Sequence, residues 1–103
     1  MRKLENVDCI WSMSDRSESS VVNRGNNRIP HPLNNAISEA TSQGYIIEEM
    51  DLVMVIPIDE REKSFESAAI MLYNPEKEMH AAIVQTPKRS GLGGLYEIVT
   101  YIP

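Results

Sequence analysis

The residues best suited to chemistry are two groups of cations set among small polar neighbours. In Thr86-Pro87-Lys88-Arg89-Ser90-Gly91-Leu92-Gly93-Gly94, two cations and a hydroxyl stand beside three glycines. Glycine allows a backbone to come close to a ligand, and free N–H groups beside cations can wrap a phosphate. The segment has no Lys-Ser/Thr at its end and precedes a strand-like run rather than a helix, so neither the P-loop nor the dinucleotide fingerprint fits; a flexible hairpin loop is the competing reading. The second group lies in a polar stretch at 14–32, with Ser19, Ser20, Asn23, Arg24, Asn26, Asn27 and Arg28. Arginine presents a planar fork and lysine a point charge to a phosphate or carboxylate. If the two segments approach one another, within a chain or across a subunit boundary, four cations converge. The expected ligand site is therefore Arg24, Arg28, Lys88, Arg89, Ser90, Gly91 and Gly93 for a phosphate, with Tyr96 and Trp11 as stacking surfaces for a base.

The catalytic alternatives are thinner. A nucleophile needs a base and an orienting group. Cys9 with His31 or His80 supplies two of the three, but Cys9 falls between Val7 and Trp11 on an apolar face and reads as a buried structural thiol. Neither histidine has a further ligand at i+2 or i+4 beyond Glu78 beside His80, so no metal site and no cofactor are expected. Glu48, Glu49 and Asp51 invite an acid–base pairing. Adjacent strand residues point to opposite faces, so Glu49 and Asp51 can pair and Glu48 cannot join Glu49; the solvated start of a strand is the simpler explanation.

These groups need a scaffold, and the hydrophobic pattern supplies one. Val7, Cys9, Trp11 and Met13 alternate with polar residues, predicting a strand over Glu5–Met13. Leu33, Ala36, Ile37 and Ala40 fall at i, i+3, i+4 and i+7, predicting a helix over Leu33–Gln43. Pro32 suits its first turn, Gly44 suits the left-handed position past its end, and Tyr45 is placed to fold back near Ala40. Tyr45–Ile56 follows as a strand whose second half is apolar on both faces, as a covered central strand requires. Glu66–Tyr73 and Met79–Thr86 form a hairpin about Asn74-Pro75-Glu76-Lys77-Glu78, and Leu95–Ile102 is a last strand. The expected fold is α+β: an antiparallel sheet of about five strands with one helix on one face, in the order β-α-β-β-β-β. A single helix leaves Met71, Tyr73, Val53 and Val55 on the second face, so a homo-oligomer is expected to cover them.

Composition bounds the function classes. The chain has 103 residues, 42% of them hydrophobic, which suits one domain over 1–103 with one core. Its formal net charge is -5, and ten of its fifteen acidic residues lie between Glu39 and Glu78. The only adjacent basic pairs, Arg2-Lys3 and Lys88-Arg89, make no stripe for extended nucleic acid. No apolar run approaches a membrane span, and Met1-Arg2-Lys3-Leu4-Glu5 leads into polar residues rather than a signal-peptide core. With Cys9 as the one cysteine, a cytoplasmic location is expected.

The stretch Ala36-Ile37-Ser38-Glu39-Ala40-Thr41-Ser42-Gln43-Gly44-Tyr45-Ile46-Ile47 resembles small sheet domains of unknown function in bacteria and their phages, which share a short helix, Gly-Trp or Gly-Tyr, and a hydrophobic strand. The resemblance covers about a fifth of the chain. It implies an α+β sheet with one covering helix and transfers no catalytic residue. Three functions follow as expectations. The first is a non-catalytic module binding a small phosphorylated molecule, such as a nucleotide signal; in a phage setting it is an anti-defence sponge. The second is an inhibitor or immunity-type protein whose acidic middle, Asp59 to Glu66 and Glu76 to Glu78, faces a basic protein partner. A small enzyme is the third.

Overall fold

A computed structural model describes residues 1–14, 32–59, 61–87 and 95–103. The elements follow the expected order: β1 (Arg2–Ser14), α1 (Pro32–Ser42), β2 (Ile46–Pro57), β3 (Phe65–Asn74), β4 (Met79–Gln85) and β5 (Leu95–Tyr101). Strands β2 to β5 form the antiparallel meander that the turn residues imply. The sheet as a whole is mixed rather than antiparallel, because β1 pairs in parallel with β2. The physical reason is the crossover: α1 carries the chain back along the sheet, so β2 sets out in the same direction as β1.

β1 also closes the sheet. Its first part pairs with β2, Arg2 opposite Val53 and Leu4 opposite Val55, and its second part pairs antiparallel with β5, Asp8 opposite Thr100 and Ser14 opposite Leu95. The result is a closed five-stranded barrel in the order β1-β2-β3-β4-β5. A strand that changes partners must bend. β1 does so with register irregularities between Leu4 and Val7 and between Cys9 and Trp11, and with Asn6 at a φ of 55°. Asparagine tolerates that left-handed backbone better than most residues.

Closure decides what covers the second face. Leu4, Val53, Val55, Ala69, Met71, Ala82, Val84 and Val99 fill the barrel interior, with Val7, Phe65 and Tyr101 packed against them. The face expected to need a second subunit is thus buried largely by the chain itself: Val53, Val55 and Met71 are at most 2% exposed and Tyr73 is half-buried. Small side chains at Ala69 and Ala82 suit so narrow a barrel, whose interior has room only for side chains.

The other core lies outside the barrel wall. Leu72, Ala81, Ile83 and Ile98 meet Ala36 and Ala40 of α1 and Tyr45, with Trp11, Leu33, Ile37, Ile70 and Tyr96 at the margin. Each fully buried aliphatic side chain here stabilises the fold by about 1.5–3 kcal/mol. The end of α1 has the form its sequence predicts. Gly44 adopts a φ of 95°, its N–H donates to the Thr41 carbonyl, and the Tyr45 N–H donates to the Ala40 carbonyl, both at 3.1 Å. That crossed pair of bonds satisfies carbonyls that the helix leaves open.

Candidate binding site at one end of the barrel

The register brings together one anchor of each cation-bearing segment. β1 ends at Ser14 and β5 begins at Leu95, and these two residues are direct partners across the strand pair. The polar stretch therefore starts beside the residue where the glycine-rich stretch ends. Arg24, Arg28, Lys88, Arg89, Ser90, Gly91 and Gly93 themselves lie outside the described residues, as does His31. Within the described residues, the same end of the barrel receives Pro57, Phe65 and Gln85 from β2, β3 and β4.

Trp11 and Tyr96 come together on one face. Trp11 is opposite Ile98 and Met13 is opposite Tyr96, which makes the two aromatics diagonal neighbours on the outer wall. Both are half-buried and pack against the core beneath α1. Their rings thus serve packing first, and only their outer parts can meet a ligand.

Cys9 is exposed rather than buried. The irregularity between Cys9 and Trp11 breaks the alternation on which the sequence reading relied. It sends Trp11 to the outer wall, while Val7 stays with the barrel interior. The thiol donates to the Trp11 carbonyl at 3.3 Å. Partial desolvation, then the negative charge of Glu97, pushes the Cys9 thiol above its usual range, which disfavours the nucleophilic thiolate. No Cys–His dyad forms with His80 either. Cys9 stands opposite Val99 and Val99 opposite Ala82, while His80 is opposite Tyr101, so a strand separates the thiol from β4.

Glu97 is the functional candidate that sequence reasoning missed. It sits between Tyr96 and Ile98, which face α1, and is opposite Val84 of the interior core, so its side chain turns inward. Desolvation, then repulsion from Glu62, pushes its carboxyl above the usual range. The available signal was a lone acid inside the apolar run Leu95 to Ile102.

The opposite end of the barrel holds a different cluster. His80 lies between Tyr73, at a ring-centroid distance of 4.8 Å, and Tyr101, at 5.9 Å. Glu49 and Asp51 do share a face, and Arg2 joins them, with its Nη2 at 3.1 Å from Glu49 Oε1 and its Nε at 3.2 Å from Asp51 Oδ2. All three side chains are substantially exposed. A bridging guanidinium makes the carboxylate pair an ion-pair network rather than an acid and a base. Among the described residues, no three or more His, Cys, Asp or Glu side chains are placed to hold a metal ion, and no helix is long and apolar enough to cross a membrane. No family model matches the chain, and neither a curated protein nor a solved structure shows significant similarity to it.

Proposed function

We propose that the chain is a non-catalytic binding module for a small phosphorylated molecule, taken up at the end of the barrel marked by Ser14 and Leu95. One observation carries this reading: the direct pairing of Ser14 with Leu95 anchors both cation-bearing segments at neighbouring strand ends. Five cations, Arg16, Arg24, Arg28, Lys88 and Arg89, against two acids, Asp15 and Glu18, belong to those two segments in a chain whose net charge is -5. Charge-assisted hydrogen bonds from such groups are the strongest that an exposed site can offer a phosphate. Trp11 and Tyr96, on one face next to these anchors, offer flat surface to a base.

A binder without catalytic machinery acts stoichiometrically, so its role is to sequester a nucleotide-type signal. The purified protein is to be denatured and the released small molecules identified by mass spectrometry. Release of a nucleotide or another phosphorylated metabolite in near-stoichiometric amount is expected. Absence of any such molecule, together with a co-purifying basic protein, overturns the reading in favour of a protein inhibitor.

A further inference from the structure

The outer face of β2 carries a run of apolar side chains that α1 does not cover. Ile47 is 46%, Met50 73% and Leu52 60% exposed, and Met54 is half-buried. The register shows that they share one face. Ile47 is opposite Leu72, Met50 opposite Ile70, Leu52 opposite Ala68 and Met54 opposite Glu66, and both Leu72 and Ile70 belong to the outer wall. The irregularity between Ile47 and Glu49 returns Met50 to the face that Ile47 occupies. Glu49 and Asp51 turn to the other face, where Arg2 holds them. Among the β2 residues with a register partner on β3, the outer face therefore carries no charge, and an exposed apolar stripe of this kind marks an interaction surface.

Its flanks indicate the partner. Lys3 on β1 and Glu66 on β3 are both opposite Met54, one on each side of the stripe, and both are exposed. A cation on one flank and an anion on the other make the surface self-complementary. When a second copy is turned about a two-fold axis running along the strands, stripe lies on stripe, and Lys3 of each copy meets Glu66 of the other. An interface between identical chains must have this reciprocity, whereas a surface for an unrelated partner need not. Two sheets packed face to face also keep their strands roughly aligned, within about 30°.

We propose that the chain forms a homodimer through the outer face of β2, with reciprocal Lys3–Glu66 pairs closing its flanks. The surface is separate from the barrel end assigned to the ligand, so the two readings stand or fall independently. Light scattering and sedimentation on the full chain at rising micromolar concentrations are expected to give twice the 11.6 kDa chain mass. Replacing Met50→Glu together with Leu52→Glu is expected to raise the dimer dissociation constant at least roughly tenfold. The circular dichroism spectrum is expected to stay unchanged, since both side chains are exposed. Lys3→Glu alone and Glu66→Lys alone are each expected to weaken the dimer, and the double charge reversal to restore it. A monomer at every concentration overturns the proposal, as does a dimer that the Met50→Glu, Leu52→Glu variant leaves intact. Failure of the double reversal to recover what the single reversals lose overturns the two-fold arrangement.

Discussion

The side-chain amide of Asn74 donates from Nδ2 to the main-chain carbonyl of Gln43 at 3.1 Å, across 31 residues of sequence. Its Oδ1 accepts from the N–H groups of Glu76 and Lys77, also at 3.1 Å. One buried amide, 1% exposed, thus ties the end of α1 to the β3–β4 turn. Removing it leaves a carbonyl and two N–H groups without that partner. Asn74→Ala is therefore expected to destabilise the fold by about 1–3 kcal/mol in urea or thermal denaturation. Gly44→Ala is expected to weaken the same junction, because a Cβ there would lie 3.4 Å from Asn74 Nδ2 on a backbone with a φ of 95°. A left-handed residue with a side chain costs about 1–2 kcal/mol by itself.

Leu4 is fully buried in the barrel and sits on the strand that closes it, opposite Val55. Truncation removes apolar contact and leaves a void between β1 and β2, where a narrow barrel has little freedom to collapse. Leu4→Ala is expected to cost about 2–5 kcal/mol, measured as a shift in denaturant midpoint. An effect below about 1 kcal/mol would show that closure through β1 contributes little.

Much of this fold was legible. The helix was readable from Leu33, Ala36, Ile37 and Ala40 with Gly44 behind them, because periodicity and capping are local. The meander was readable from its turns. Closure was not, because the bend at Asn6 and the slip between Cys9 and Trp11 depend on which strands β1 meets at each end. A slip reverses the facing of the residues that follow it, which is why the alternation set Trp11 on one face with Val7 while the structure puts Trp11 on the outer wall. The same closure accounts for Val55, which served in the sequence reading as a subunit contact and instead lies inside the barrel, 2% exposed. The candidate site was legible as residue chemistry in Arg24, Arg28, Lys88 and Arg89, while the pairing of Ser14 with Leu95 needed the register.

Glu97 gives the fold a pH dependence of known sign. Desolvation, then Glu62, raises its carboxyl in the folded state, so folding binds a proton more readily than the unfolded chain does. Its favourable contribution is present below the unfolded glutamate range and is lost as pH rises through the raised folded value. Glu97→Gln removes the charge, so the variant is expected to melt higher than the parent at neutral pH. The difference should shrink as pH falls through the ordinary carboxylate range. Equal thermal midpoints at neutral and acidic pH would mean that the carboxyl is as well solvated folded as unfolded.

The ligand reading makes its own demand on two arginines. A phosphate held by separate segments of the chain needs at least one cation from each, and Arg24 and Arg89 supply one forked donor from each of the segments anchored at Ser14 and Leu95. Losing one charge-assisted hydrogen bond to a phosphate costs about 1.5–3 kcal/mol, or roughly ten- to a hundredfold in affinity. Arg24→Ala and Arg89→Ala are therefore each expected to weaken binding at least roughly tenfold in calorimetry with the released nucleotide. Both residues belong to polar, glycine-bearing stretches of the sequence, so the thermal midpoint of the unliganded protein is expected to stay nearly constant. Lys77→Ala, in the exposed β3–β4 turn at the opposite end of the barrel from Ser14, serves as the control for a general loss of positive charge. If that variant weakens binding as much as the two arginine variants do, the attraction is diffuse and no phosphate site exists at the Ser14–Leu95 end.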